Sequence, residues 1–149
     1  MPTNRRKPAQ AAEAWRRMFQ VLMHSAPQRI EALQGHGLTP NDGRALFTIG
    51  EAPGTPIGTL ARDWGNDPST ATWLVNRLER AGLAERHPAV HDRRIKLVRL
   101  TSKGAATKTA LLRNYHQPPA ELAELTSGEL TELIRLLKLL QSKRADGQD

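Results

Sequence analysis

The chain has 149 residues, no cysteine and a net charge of +7, from 22 Lys and Arg against 15 Asp and Glu. Its length suits one compact domain, or a small domain with a dimerisation arm, and the lack of thiols excludes disulfides, thiolate metal sites and thiol redox chemistry. No apolar run reaches the roughly 18 residues of a membrane span, and the first residues lack a signal peptide's apolar core, so we expect a cytoplasmic protein. The positive charge favours a polyanionic partner, although solubility alone explains it equally well.

The N-terminal region is predicted to be a short arm followed by helix. Residues 1–8 are polar and basic and predict a flexible arm. From about Ala9 to Leu33, apolar residues recur every three or four positions, which predicts an amphipathic helix. Pro27 interrupts this pattern and either kinks the helix or begins a second one.

Three helix starts follow, each with a capping residue before a proline. They lie at Thr39-Pro40, Thr55-Pro56 and Asp67-Pro68. The second and third helices are short and are joined by a tight turn at Gly65, which predicts a helix-turn-helix. The apolar stripe of the third helix consists of Ala71, Leu74, Val75 and Leu78.

The next segment is typical of a wing. Leu83–His87 and Ile95–Leu100 predict two strands on either side of a charged loop. Thr101 then caps a helix to about Gln117, and Thr126 with Glu129 predicts a capping box for the last helix. That helix carries an apolar stripe too wide for a lone surface helix, and a second copy of the chain is the simplest partner for it.

The helix from Asp67 is the predicted recognition helix. If its apolar stripe faces the core, the opposite side carries the polar residues and one tryptophan: Ser69, Thr70, Thr72, Trp73, Asn76 and Arg77. Hydroxyls bind phosphates, whereas Asn76 suits adenine and Arg77 suits guanine. Arg93 and Arg94 at the wing suit a narrow minor groove. The alternative for the helix is an ordinary solvated face, and the alternative for the wing is a turn that is charged but does not bind DNA.

These stretches resemble the multiple antibiotic resistance regulator (MarR) family over about residues 10–141. The matching residues are Leu60-Ala61, Asp67 with Ser69-Thr70, Arg77-Leu78-Glu79, Gly82-Leu83, Arg86, Asp92 with Arg94, and Leu100-Thr101 with Gly104. An Asp-x-Arg wing followed by Leu-Thr-x-x-Gly is fairly specific among winged helices.

The resemblance implies a mainly α fold with a small β wing, in which a winged helix-turn-helix lobe joins a helical dimerisation region. The implied division is an arm (1–8), an N-terminal dimerisation helix (9–38), the DNA-binding domain (39–100), C-terminal dimerisation helices (101–141) and a flexible tail (142–149). It further implies a homodimer on a pseudo-palindromic operator in double-stranded DNA. Arg94 would enter the minor groove, while Asp92, by an ion pair, and Arg86 would brace the wing.

One residue departs from the family pattern. Trp73 stands where the family often has a polar or basic residue. Since an indole offers both an apolar face and one hydrogen-bond donor, Trp73 would either touch a thymine methyl group or sugar, or pack on its own wing.

The resemblance also implies a crevice for a small aromatic or anionic effector that releases a repressor from DNA. Trp15, Phe19, His36 and Phe47 are the candidate ligand residues, and a regulator without an effector is the alternative. The helical spacing of Trp15 and Phe19 favours a place in the core instead.

No cofactor, metal site or enzyme activity is expected. His87 and His91 are four residues apart, but they lie in a segment that contains Pro88 and reads as a loop, so the spacing does not favour a metal. No phosphate-binding loop, nucleophile elbow or pair of catalytic carboxylates stands out. A winged helix that binds another protein remains the alternative from a different class.

Overall fold

The computed structural model describes residues 6–145. The chain folds as two compact units that divide after His116. The first unit contains α1 (Arg6–His24), α2 (Ala26–Gln34), α3 (Pro40–Thr48), β1 (Thr55–Pro56), α4 (Ile57–Trp64), α5 (Pro68–Arg80), β2 (Ala84–Pro88), β3 (Lys96–Leu100) and α6 (Ser102–Tyr115). The second unit contains α7 (Ala120–Ala123) and α8 (Ser127–Ala145). Within the described residues, no helix is both long and apolar enough to cross a membrane.

The first helix begins earlier than predicted, and the last helix ends later. Helix α1 begins at Arg6, so residues 6–8 of the predicted arm are helical, because Pro8 lies in the first turn, where a missing amide hydrogen costs nothing. Of the two alternatives for Pro27, the structure has a second helix, which begins at Ala26. Helix α8 continues past residue 141 to Ala145 through residues that favour helix. The rest of the predicted arm and tail, 1–5 and 146–149, lies outside the described residues.

Four predicted helix caps are confirmed. In the capping box predicted for the last helix, the Thr126 amide donates to the Glu129 carboxylate at 2.8 Å and the Glu129 amide donates to Thr126 Oγ1 at 3.3 Å. Thr39 Oγ1 accepts a bond from the Asp42 amide at 3.2 Å, while the Asp42 carboxylate accepts one from the Thr39 amide at 2.8 Å. Asp67 accepts from the Thr70 amide at 2.9 Å. Thr101 accepts from the amide three residues later, also at 2.9 Å. Each bond satisfies an amide that the first helical turn leaves without a partner.

The helix start predicted at Thr55 is wrong in detail. Thr55 and Pro56 form strand β1, with Thr55 opposite Val98, and Pro56 is the residue that precedes helix α4. At Gly54 the backbone has a φ of 100° and passes close to the Val98 carbonyl, where a Cβ would come within 2.8 Å of the oxygen. A tertiary strand pairing therefore replaces the local cap that Thr55 would have made.

The wing is an antiparallel sheet with the strand order β1-β3-β2. Ala84 pairs with Leu100 and Arg86 with Val98, so these residues share one face. Val98, Leu100 and Ala84 are buried, which places that face against the core. Both predicted wing strands are present, shifted by one residue at their ends.

The core of the first unit joins the helix-turn-helix to the wing. Buried apolar residues come from helices α2 to α6 and from strands β2 and β3. The largest fully buried side chains are Leu33, Leu46, Ile49, Leu60, Leu78, Leu111, Val75, Val98 and Asp42. Only one of these is charged, and it lies beside the predicted recognition helix.

Gly104→Ala is expected to destabilise the protein by about 1–3 kcal/mol, because forced overpacking of a close contact costs that much. A Cβ at Gly104 would overlap the backbone carbonyl oxygen of Leu83, which cannot move without displacing the start of β2. Urea unfolding followed by circular dichroism measures the effect. Gly58→Ala is the matched control, since a Cβ there meets nothing within 4 Å. Equal midpoints for the two variants would contradict the close packing of α6 on the wing.

Candidate nucleic-acid interface

Helix α5 presents two distinct faces. Its apolar stripe is buried as predicted, and it consists of Ala71, Leu74, Val75 and Leu78. Ser69, Thr70, Thr72 and Trp73 are exposed on the other side, whereas Asn76 and Arg77 are half-buried. The N-terminal half of α5 is therefore the part that is open to a ligand.

The three hydroxyl groups of this half donate to their own helix. Ser69 Oγ and Thr70 Oγ1 both donate to the Asp67 carboxylate, the latter at 2.7 Å. Thr72 Oγ1 donates to the Pro68 carbonyl at 2.8 Å. The hydrogen bonds from Ser69 and Thr70 hold the pKa of Asp67 well below its usual range. In this arrangement the hydroxyl oxygens are oriented to accept, which suits a base amino group better than a phosphate.

Arg77 lies differently from the position predicted for a base-reading residue. Its Nε and Nη2 donate to Oδ1 and Oδ2 of Asp42 on helix α3, each at 2.8 Å. The Asp42 side chain is fully buried, and 34% of the Arg77 side chain is exposed. The pair joins α5 to α3, and it occupies the Nε and Nη2 donors of Arg77.

The protonation of Asp42 reflects this arrangement. Burial raises the pKa of the carboxyl group, but the hydrogen bonds from Arg77 and Thr39, together with the charge of Arg77, outweigh burial and lower the pKa to about 2. The same ion pair raises the pKa of Arg77. Asp42 is therefore ionised at neutral pH although no water reaches its side chain.

A second network joins α5 to the wing. Arg86 on β2 donates to the Asn76 carbonyl oxygen at 2.8 Å through Nη2, and its Nη1 forms an ion pair with Glu79. Arg86 thus contacts two residues of the recognition helix at once, which is consistent with the bracing role implied by the resemblance. The Asn76 oxygen accepts from Arg86, so its amide NH₂ is the group that can donate to another partner.

The wing tip is held by backbone bonds. Asp92 Oδ1 accepts from the Arg94 amide at 2.9 Å, and the Asp92 carbonyl accepts from the Ile95 amide at 3.0 Å. The resemblance implied an ion pair for Asp92, but among residues 6–145 none of the ion pairs includes it. The guanidinium groups of Arg93 and Arg94 are exposed and form no ion pair with a described residue. The tip therefore offers two cations to solvent.

The outer face of the wing sheet carries its own charged group. Glu85 accepts from Arg99 Nε at 2.9 Å and lies 2.8 Å from His87 Nε2. The hydrogen bonds from Arg99 and then His87 lower the pKa of Glu85. Within the described part of the chain, no three His, Asp or Glu side chains are close enough together to hold a metal.

The four candidate ligand residues are spread over three elements of the first unit. Trp15 and Phe19 lie on α1 and are 65% and 50% exposed, so the core of the single chain does not cover them. His36 is exposed in the segment between α2 and α3. Phe47 on α3 is half-buried and packs edge-to-face against Tyr115 of α6, with ring centroids 4.9 Å apart.

Sequence reasoning missed the partners of two site residues. Asp42 on α3 is the partner of Arg77, 35 positions away in the chain. Glu79, which belongs to the run that matches the family, pairs with Arg86. The signal for Asp42 was available in part, because a capping box turns the side chain back towards its own helix and out of solvent.

The helix-turn-helix of α4 and α5 and the sheet after it define a winged-helix DNA-binding fold. A sequence model of the MarR family matches residues 36–95. The uncharacterized HTH-type transcriptional regulator YcgE of Bacillus subtilis is 33% identical over 115 residues, covering 76% of this chain and 71% of that protein. The chain belongs to the MarR family of transcriptional regulators.

Solved structures agree on the fold. A MarR family protein from Bacillus stearothermophilus is similar with a TM-score of 0.77 and 23% identity, covering 93% of this chain and 97% of that one. The S. aureus MepR protein, in a structure of its complex with DNA, is similar with a TM-score of 0.62 and 22% identity, covering 83% of this chain and 98% of that one.

Proposed function

We propose that the protein is a homodimeric regulator that binds a pseudo-palindromic operator in double-stranded DNA and represses transcription there. The observation that carries the proposal is that the first unit presents two exposed surfaces, the N-terminal half of α5 and the wing tip. The exposed N-terminal half of α5 suits a major groove, and the wing tip presents Arg93 and Arg94, which form no ion pair with any residue that the structure describes. The DNA complex of the S. aureus relative supports the same partner for this chain.

The homodimer is supported by apolar side chains that the single chain leaves in water. On α1 these are Trp15, Met18, Phe19, Val21, Leu22 and Met23, and on α8 they are Ile134, Leu136, Leu137, Leu139 and Leu140. Apolar surface of this extent on two helices is typical of a protein interface. A second copy is the partner that gives a twofold protein, and a twofold protein requires half-sites about one helical turn apart.

The contacts with DNA are divided between the two surfaces. Ser69, Thr70, Thr72 and Trp73 would contact base edges and the adjacent backbone, with Asn76 donating through its amide. Arg93 and Arg94 would bind at the minor groove. Arg77 and Arg86 would hold the recognition helix in place, and Asp92 would shape the wing tip through its backbone bonds.

We further propose that a small aromatic or anionic effector releases the protein from DNA. Exposed Trp15 and Phe19 on α1 and half-buried Phe47 on α3 supply aromatic surface on helices that the dimer would bring together, and His36 in the segment before α3 adds an imidazole. Benzoate is a suitable first probe in an operator-binding titration, and binding reciprocity requires DNA to weaken its binding by the same factor. A regulator without an effector would show no shift with benzoate or with other planar anions.

Selection of bound duplexes from a random pool tests the central proposal. We expect a twofold-related consensus and an affinity that falls steeply with salt, as phosphate neutralisation requires. A pool that gives no consensus, together with weak binding at low salt, would overturn the proposal. It would instead favour a winged helix that binds another protein.

Arg94→Ala is expected to weaken binding to operator and scrambled duplexes alike. Arginine at a minor groove responds to groove width and potential more than to base identity, so both duplexes lose the contact. The slope of log affinity against log salt should become shallower by about 1.8, which is about 0.9 for each of the two Arg94 side chains in the proposed dimer. Arg94→Lys is the matched control, because it keeps the charge and should keep the slope. Unchanged isotherms for Arg94→Ala would remove the wing from the mechanism.

A further inference from the structure

Trp73, Arg77 and Asp42 form one connected group on the first unit. The guanidinium carbon of Arg77 lies over the Trp73 ring, 5.1 Å from its centroid. On its other side, the same guanidinium donates two hydrogen bonds to the buried Asp42 carboxylate. Arg77 is therefore held between a buried anion and an indole ring on the exposed side of α5.

The anion in this group cannot easily move. Asp42 Oδ2 also accepts bonds from the Thr39 amide and hydroxyl, each at 2.8 Å, in addition to the bond from Arg77. Two parallel bonds to a carboxylate fix the plane of a guanidinium as well as its position. The position and plane of Arg77 are therefore set by a group that lies inside the protein, and the Trp73 ring lies against this cation.

The indole is exposed where the helix would meet DNA. Trp73 is 52% exposed, one face rests on Arg77 of its own helix, and the neighbouring residues Ser69, Thr70 and Thr72 are exposed as well. In the major groove, the C5 methyl group of thymine is the apolar feature that distinguishes one base from the other three. An exposed ring held in a fixed orientation is suited to contact such a methyl group.

We propose that Trp73 determines operator specificity by contacting a thymine methyl group, and that Arg77, fixed by Asp42, is a positioning residue that holds the indole for this contact. The proposal rests on the proposed function, since it needs a DNA operator. It also accounts for Arg77 without a base contact, because its Nε and Nη2 donors are occupied by Asp42.

The test replaces each thymine of the selected operator in turn with deoxyuridine, which lacks only the methyl group. With the wild-type protein, one replacement in each half-site should lower affinity about three- to fivefold, as expected for one methyl group removed from contact. Trp73→Ala should bind the thymine and uridine duplexes equally. Thr109→Ala is the control, because Thr109 is exposed on α6 outside the two surfaces proposed to bind DNA, and this variant should keep the difference.

Arg77→Lys tests the positioning role separately. Lysine keeps a positive charge near Asp42 but has no planar group to stack, so the thymine–uridine difference should fall below twofold while the salt dependence of binding stays unchanged. Urea unfolding shows whether the variant is folded. Arg77→Gln also lacks the planar cation, so the thymine–uridine difference should fall in this variant as well.

Three outcomes would overturn parts of the proposal, and they are distinguishable. If the wild type selects no operator at all, the proposed function is wrong, and the contact between Trp73 and a thymine methyl group is wrong as well. If it selects an operator but Trp73→Ala changes the effect of no uridine replacement, the methyl contact is wrong and the proposed function stands. If Arg77→Lys keeps the full difference, Trp73 reads the methyl group without help from Arg77.

Discussion

Replacing Leu137 and Leu140 together with aspartate is expected to convert the dimer to a monomer and to lower operator affinity at least a hundredfold. The two side chains lie on α8 and are 40% and 53% exposed in the single chain. Each leucine that becomes buried between two copies contributes about 1.5–3 kcal/mol, and a carboxylate in the same place must be desolvated. A monomer then binds one half-site and loses the roughly 10²–10⁴-fold gain of two linked half-sites.

Analytical ultracentrifugation measures the association, and fluorescence anisotropy on the selected operator measures the affinity. Lys138→Asp is the matched control, because it adds a carboxylate to the same helix at an exposed polar position and should leave the dimer intact. Circular dichroism shows whether helix is lost together with the dimer. A wild-type protein that sediments as a well-folded monomer would contradict the proposed homodimer.

Asp42→Asn is expected to destabilise the first unit by about 2–3 kcal/mol at neutral pH. Removing one partner of a buried ion pair costs about 3–5 kcal/mol, and the value here is lower because Arg77 is partly exposed and regains water. The lowered pKa gives a similar figure, since a change from 3.8 to about 2 corresponds to about 2 kcal/mol. Urea unfolding at pH 7 measures the loss.

The pH dependence of stability provides a second readout for Asp42. Because the folded protein holds the pKa of this carboxyl below its unfolded value, its contribution is complete above about pH 4 and is lost as the pH falls towards 2. The wild type should therefore lose about 2 kcal/mol more than Asp42→Asn over this interval. Asp63→Asn is a useful comparison, because its carboxyl is exposed and its replacement leaves the Arg77 pair intact. Parallel pH profiles for the wild type and Asp42→Asn would contradict the pairing with Arg77.

Much of the local structure could be predicted because local interactions decide it. Thr39, Asp67 and Thr101 begin helices because their side chains satisfy amides three residues away. The stripe from Ala71 to Leu78 is buried since its spacing matches one face of a helix. Thr55 shows the limit of such reasoning, because an equally good local cap signal yields to the pairing of β1 with β3.

In the candidate site, too, local interactions could be predicted from the sequence and contacts between distant elements could not. The exposed face of α5 and the cationic wing tip follow from periodicity and composition, since a buried stripe determines which residues point outward. The roles of Arg77 and Asn76 did not follow, because their partners Asp42 and Arg86 come from other elements. No spacing along α5 indicates that one of its guanidinium groups faces a buried carboxylate on α3.

The sequence by itself determined the family, the order of the main helices and of the two wing strands, and the two surfaces that we propose bind DNA, because short-range spacing and capping encode them. Only the tertiary structure decided which polar side chains of the recognition helix are free. Helix α3 brings Asp42 to Arg77, and strand β2 brings Arg86 to Asn76 and Glu79. These contacts join residues distant in sequence, and they form because a charge that loses water on folding must find an opposite charge or a hydrogen bond in the folded chain.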